Sequence, residues 1–483
     1  MPTVEDVWVD LVAQVKDHAQ TYWKYHDYYN GAQKLPVDAS EFRSRFGNVF
    51  SAFRANLARP VVDIAEGRLR FVEFGTGKGT ASDALDIWQR NRMSAESKWV
   101  HTDALVMGDG FVMVDKDSNG DALIIPQSPI FMALVMDPEN PRKKRAALKW
   151  WIEEDYPSEG SEVKQPYCRV NVYFEDRVEK FKSLSQTDIF EESLSRYQKI
   201  GSTRHRIGEV PVFRFAANWD QTLQDSRSDL ADATGYIDAI TKQVLDLLVA
   251  SEYTAAPQRW ATGVEIPLDP KTGEPLETYK TGADRLWTAP NEQARFGQFN
   301  TGEMAGFKQS IETLVDQLAY VTRTPVYAFM RSDTFPAGEA LKTAEMPLRQ
   351  RVADHQEAFG YIWAEVVRAA LKVEGIEVEV TEVMPSWLPV NAPFATKELL
   401  EEVKVKVEVA GVPEEMAWRE LGYSQVEIEE MKSMREEEAT LGQDATANLQ
   451  ADAIFNGAPP AQDLTAGLGD DTVDIQDPTL APQ

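Results

Sequence analysis

Two short segments of the chain carry residue types at spacings that chemistry uses. Asp115-Lys-Asp-Ser-Asn-Gly120 offers oxygen ligands at the first six positions of a calcium-binding loop. Such a loop needs a bidentate Glu at position twelve, and Pro126 stands there. The flanking runs, 111–114 and 122–125, alternate as strands do, and Asn119-Gly120 is a hairpin signal, so a hairpin turn is expected. Gly75-Thr-Gly-Lys-Gly-Thr80 has the glycines and lysine of a phosphate cradle. A P-loop also needs a leading Gly and a Ser or Thr directly after the lysine, but Val72 and Gly79 occupy those places, which leaves a glycine-rich turn. Nucleophilic catalysis wants Ser or Cys beside a His base, and a metal site wants clustered ligands. The five histidines, His18, His26, His101, His205 and His355, are scattered without ligand-like neighbours, and His355 falls on an apolar seam as a core histidine would. No catalytic residue, metal site or cofactor is expected.

Composition narrows the class further. The 483 residues include 50 Lys+Arg against 78 Asp+Glu, a net charge of −28. That balance argues against gripping nucleic acid by neutralising phosphates over the whole surface, though not against DNA passing through. One cysteine, Cys168, forms no internal disulfide. The first twenty residues lack the apolar core of a signal peptide, and no apolar run approaches the roughly 20 residues of a membrane span. From Glu436 to Gln483 there are ten acidic residues and no Lys or Arg, a composition that favours a disordered tail. Arg142-Lys-Lys-Arg145, the densest basic run, follows Asp137-Pro-Glu-Asn-Pro141 and reads as a solvated turn.

The elements that would position these residues follow from periodicity. Helical spacing covers 4–29, ending at Asn30-Gly31, then 48–70 and 81–107. Alternating runs at 111–114, 122–125, 131–136, 146–152, 169–174 and 210–215 predict strands. The first 215 residues therefore read as a mixed α+β unit.

Beyond them the rhythm changes. From Asp225, with Ser226 or Ser228 as cap and Asp229 suited to the positive helix end, apolar residues fall at Leu230, Ala233, Ile237, Ile240, Val244 and Leu247. Phe307, Ile311, Leu314, Leu318 and Val321 repeat the pattern, and such alternate spacings of three and four make a seam for another helix. Between the two helices lies a Pro- and Gly-rich insert, 255–301. A loop containing Arg331, Ser332, Asp333 and Thr334 leads into a third heptad run from Leu341 through Leu348, Val352, His355 and Phe359 to Ala369, which Pro347 should kink. Residues 376–383 alternate as a strand, 396–410 and 413–438 read as helices, and 404–409 alternate closely enough to suit a strand as well.

In this order the chain resembles the portal proteins of tailed bacteriophages, in particular those of long-tailed phages. The resemblance is carried by Tyr28-Tyr-Asn-Gly31, Asn56, Val61-Val-Asp63, Arg68-Leu69, Ile87-Trp-Gln-Arg-Asn91 and His101-Thr-Asp-Ala-Leu-Val-Met-Gly108. It continues through Gly208-Glu-Val-Pro-Val-Phe-Arg-Phe215, Asn218, Ser228-Asp-Leu230, Ala337-Gly-Glu-Ala-Leu-Lys342, Trp387, Ala410-Gly-Val-Pro413 and Glu420-Leu-Gly422.

The resemblance implies an α+β, portal-like subunit. Its parts would be a wing (1–224), stem helices (225–254 and 302–324) flanking a clip (255–301), and a tunnel loop (325–340). A long kinked helix with a return to the wing (341–394), crown helices (395–440) and the acidic tail (441–483) would follow. It further implies a closed ring, commonly a dodecamer, at one capsid vertex of the virion. That ring would be the channel for double-stranded DNA, docking terminase, head–tail adaptor, capsid and scaffold proteins, without enzymatic activity, cofactor or membrane. The chain would be made in the host cytoplasm. Arg331, Ser332, Asp333, Thr334 and Lys342 would then face DNA, with Glu339 or Glu345 as alternative partners for Lys342. The stem seams would pack against each other and against neighbouring subunits. A competing expectation is an acidic adaptor that forms no closed ring.

Overall fold

The computed structural model describes residues 2–35, 54–74, 80–155, 164–255, 259–264, 293–298, 304–329, 338–388, 396–420, 428 and 431–435. The glycine-rich turn at 75–79, most of the insert, Arg331 to Thr334 and the acidic tail therefore lie outside the described residues. By contacts the chain divides into two compact units, one through Glu398 and one from Leu399.

Helix α1 (Val4–Asn30) opens with a capping box, in which the backbone N–H and hydroxyl of Thr3 both donate to Asp6. It closes at Gly31, whose φ of 67° suits a residue without Cβ. The helix divides its apolar face between two cores. Val4, Val7, Trp8, Leu11, Val12 and Val15 lie on a five-stranded sheet, whereas Tyr22 and Tyr28 join the main core.

Of the helix expected over 48–70, residues 48–53 lie outside the described residues, 54–57 are irregular and Ala58–Glu66 forms helix α2; strand β1 (Phe71–Phe74) follows it. The helix expected over 81–107 is two, α3 (Thr80–Arg90) and α4 (Met93–Met107), broken at Arg92 with φ 58°. Asn91 explains the break. Its side-chain amide donates to the carbonyls of Ile87 and Ala122, both at 2.9 Å, and its carbonyl accepts the Ile124 N–H at 3.0 Å. The turn is thereby stapled to a neighbouring strand.

Strands β2 (Asp109–Lys116) and β3 (Ala122–Gln127) form the expected hairpin. Asp117 accepts the backbone N–H groups of Asn119, Gly120 and Asp121, each at 2.8 Å, so the calcium-like acid closes a turn. An antiparallel meander follows through β4 (Met132–Met136), β5 (Lys144–Asp155), β6 (Gln165–Tyr173), β7 (Arg177–Ser183) and β8 (Tyr197–Arg204). The last two strands were not legible as alternating runs. β9 (Val212–Ala216) returns to β2, giving the order β3-β2-β9. In the basic run at 142–145, Lys144 lies half-buried beside Glu209 and over the Phe213 ring, while Lys143 pairs with Glu175 and Arg145 with Asp10 at the surface.

A small hairpin, β10 (Trp219–Asp220) and β11 (Asp225–Ser226), precedes helix α5 (Thr234–Ala255), which starts later than Asp225. The insert contributes a paired β12 (Arg259–Thr262) and β13 (Arg295–Gln298), and α6 (Ala305–Val321) follows. Helix α7 (Gly338–Val373) runs for 36 residues and continues through Pro347. Residues 376–383 are not a strand. They end in a single 3-10 turn, Val380–Val383, and their apolar positions pack against the main core. The strand is β14 (Pro385–Trp387), antiparallel to β1.

The second unit holds most of α8 (Thr396–Glu408), which is helical where 404–409 alternates, and α9 (Glu414–Glu420). Arg435 there pairs with Glu414 and lies over the Trp418 ring.

The main core of the first unit is aromatic. Trp363 on α7 packs against Trp88 and Phe215 with ring centroids 4.9 and 4.6 Å apart, and its indole N–H donates to His101 Nε2 at 2.9 Å. Gly110 lets β2 pass under α4, since a Cβ there would meet the Val100 carbonyl at 2.5 Å.

Candidate functional site: the junction of α2, α5, α6 and α7

The turn ahead of α5 is fixed before the helix begins. The Ser228 hydroxyl donates to the Val106 carbonyl at 2.5 Å and accepts the Leu230 N–H at 3.0 Å, while the Asp229 N–H donates to the Leu105 carbonyl. Ser228 therefore does not cap α5, which begins six residues later; it closes the turn ahead of the helix and docks that turn on the end of α4. Asp229, which sequence suits to a helix dipole, has another task. Its carboxylate is buried and takes Arg351 Nε at 2.8 Å, Arg351 Nη2, His355 Nε2 at 3.2 Å and Asn218 Nδ2 at 2.6 Å. Burial alone would raise its pKa, but the charge of Arg351 and the contact with His355 outweigh it and hold the carboxyl well below the usual range.

Arg351 spreads its remaining donors over two more elements. Nη1 donates to the Thr322 carbonyl at 2.8 Å and to the Thr324 hydroxyl at 3.3 Å, just past α6, and Nη2 to the Val61 carbonyl of α2 at 3.1 Å. One guanidinium therefore joins α7 to α2, to the end of α6 and to the start of α5. A planar fork can do this, whereas an ammonium cannot serve all four directions.

Six residues earlier on α7, Glu345 forms a second buried knot. Arg68 Nη2 donates to Oε1 at 3.0 Å, the Tyr327 hydroxyl donates to the same oxygen, and Arg349 Nη2 reaches Oε2 at 3.3 Å. Burial raises the pKa of Glu345, but these hydrogen bonds and charges bring it below the usual value.

A third cluster lies between α1, β2 and the β10–β11 hairpin. Ligand atoms of His18, Asp109 and Asp225 lie within 4.8 Å of one another, so His18 does have the carboxylate neighbours that the sequence did not reveal. Arg214 fills this cluster: its Nε and Nη2 reach Asp109 at 2.5 and 2.9 Å, and Nη2 reaches Asp225 at 2.5 Å. The guanidinium supplies the positive charge that a metal ion would bring. Burial tends to raise the Asp225 pKa, but His18 and Arg214 lower it to about 2.

Helices α5 and α6 pack together, and the antiparallel pair β12–β13 lies between them in the chain. Ile237 and Ile240 on α5 and Leu318 on α6, with Leu230 in the turn ahead of α5, are buried in the main core. Toward the insert, Val244, Leu247, Phe307, Ile311 and Leu314 are only half-buried.

Comparison with known proteins assigns the family. Residues 11–443 match the model described as phage portal protein, SPP1 Gp6-like. The chain belongs to this portal family. The portal proteins of Mycobacterium phages D29 and L5 are each 25% identical to it over 390 residues, covering 77% of this chain and 76% of theirs. Among solved structures, the neck of an empty gene transfer agent particle computed with C6 symmetry aligns at 13% identity with a TM-score of 0.44. That alignment covers 80% of this chain and 93% of the other. The neck of the native particle computed with C12 symmetry gives 14% identity and a TM-score of 0.42, over 81% of this chain and 94% of the other.

Within this portal-family chain the sequence-expected positions fall into two groups. Of the nine seam positions, Leu230 lies in the turn ahead of α5 and the other eight on α5 and α6; Leu230, Ile237, Ile240 and Leu318 are buried and the other five half-buried. Arg331, Ser332, Asp333 and Thr334 lie outside the described residues, and Lys342 lies in the second turn of α7. Glu345, one of the two partners weighed for Lys342, is engaged by Arg68, Tyr327 and Arg349. Sequence reasoning missed Arg351 as a junction residue. The signal was present, because Arg351 sits within the apolar stripe Leu348, Val352, His355, where a cation must find buried partners.

Proposed function

We propose that the chain is the subunit of a portal ring, with twelve copies closing around a channel at one capsid vertex of the virion. Double-stranded DNA enters and leaves through that channel. Terminase and the head–tail adaptor dock on the ring, and capsid and scaffold proteins surround it. In this reading residues 1–224 form the wing, α5 and α6 the stem, the insert the clip, α7 the helix below the tunnel loop, and α8 and α9 the crown. The subunit works as a conduit made in the host cytoplasm, and motor chemistry resides on a separate protein.

The observation that carries the ring is the graded seam. Half-exposed Val244, Leu247, Phe307, Ile311 and Leu314 leave an apolar strip on a single subunit, and in a closed cyclic assembly each neighbour covers the next. Arg331 and Lys342 are the cations assigned to DNA, in keeping with the few contacts a sliding duplex tolerates. The test of the seam is Leu247→Lys with Phe307→Lys, which should leave folded subunits of monomeric mass; rings from this variant would reject it. The test of the channel residues is charge reversal of Arg331 and Lys342, expected to leave rings and reduce packaged DNA. Packaging at the unmodified level would remove both residues from the mechanism.

A further inference from the structure

Resting on the portal reading, we propose that Tyr327, Glu345 and Arg68 form a clasp that positions the segment assigned to the channel wall. Tyr327 lies in the 3-10 turn Val326–Ala328, ahead of residues 330–337, and Glu345 is the eighth residue of α7, the helix that follows them. The Tyr327 hydroxyl donates to Glu345 Oε1, and Arg68 Nη2 donates to the same oxygen at 3.0 Å. The elements on either side of these residues are therefore bonded to each other through one carboxylate, whose side chain is 2% exposed. Arg349 Nη2 holds the other oxygen at 3.3 Å.

The protonation states suit a permanent clasp. Burial pushes the Tyr327 hydroxyl up to about 12, so it remains a donor, and the surrounding donors keep Glu345 an ionised acceptor. Arg68 follows directly on α2, and Arg351, six residues beyond Glu345, bonds α2, α6 and the start of α5. A load on the chain between Tyr327 and Glu345 is consequently shared with α7 and α2, because the two flanking elements are tied to each other. Tyr327 and Glu345 are positioning residues here, since neither is assigned a contact with DNA.

Tyr327→Phe tests this with the loss of one hydroxyl, and Glu345→Gln tests it with charge removed at constant size. Two readouts are needed on full-length protein: deuterium uptake of the peptide 325–346, and DNase-protected DNA per particle in a complemented phage infection. Both variants should form rings like the parent. Uptake in 325–346 should speed up by about tenfold or more, the size of one hydrogen bond to a charged group, and protected DNA should fall at least tenfold. Unchanged uptake overturns the clasp, and faster uptake with normal packaging overturns its positioning role. Loss of rings in Tyr327→Phe also overturns it, because the hydroxyl would then determine assembly. If the parent protein forms no ring, the portal reading fails while the exchange experiment still judges the clasp.

Discussion

Arg351 on α7 and Asp229 ahead of α5, 122 residues apart in sequence, form an ion pair with 7% and 4% of their side chains exposed. Arg351 Nε lies 2.8 Å from Asp229 Oδ2. Removing one partner leaves the other charge buried and unmatched, which costs about 3–5 kcal/mol. Arg351→Met should therefore lower the unfolding free energy by that order, read as a lower denaturant midpoint at unchanged slope. Arg351→Lys should recover only part of it, because the Thr322 and Val61 carbonyls lose their donors. Equal stability of the parent and Arg351→Met would show that the junction does not hold the helices.

Stability should fall on mild acidification, and His101 is the cause in the upper pH window. Burial lowers its pKa to about 3, with nearby His355 and Arg70 as lesser causes, so it stays neutral as an acceptor for Trp363. The unfolded chain takes up this proton near pH 6.5 whereas the folded chain does not, so stability is lost as pH falls below 6.5, by up to about 1.4 kcal/mol per unit. Asp229 acts lower down. Its folded pKa is depressed, so its contribution is complete above about 4 and lost as pH falls through the acid range. Thermal midpoints at pH 7 and pH 5 should differ for the parent and differ less for His101→Gln. Parallel pH profiles for the two proteins would rule out His101 as the source.

Gly110→Ala should destabilise by about 1–3 kcal/mol, the usual cost of overpacking. The new methyl would meet the Val100 backbone carbonyl at 2.5 Å, and a backbone atom cannot rotate away as a side chain can. A melting temperature like that of the parent would mean that β2 and α4 separate easily.

Cys168 is fully buried, and burial pushes its thiol pKa up while Tyr197 donates to it at 3.5 Å. A thiol that is neither ionised nor reachable reacts slowly. Native protein should resist a maleimide for hours and take up one equivalent once denatured. Rapid labelling under native conditions would show that the sheet under α1 opens.

Much of this architecture was legible because its cause is local. The α5 and α6 seams and the length of α7 follow from apolar spacing, and the β2–β3 hairpin from Asn119-Gly120. What escaped was decided by distant partners. The break at Arg92 depends on the Asn91 amide meeting β3, and the loss of a strand at 376–383 depends on β1 pairing with 385–387 instead. The site shows the same division. Apolar seam residues announce themselves by period, but Arg351 with Asp229, and Tyr327 with Glu345, are joined only by folding. A charged residue inside an apolar stripe signals that such a partner exists without saying which residue it is.

The central claim is that copies of this chain close into a ring, and native mass with images of the same particles tests it most directly. The expected result is a particle of about 650 kDa, twelve copies of a 54.3 kDa chain, with a central hole wide enough for a duplex. A compact dimer or tetramer without a hole would contradict the account and favour an acidic adaptor in its place.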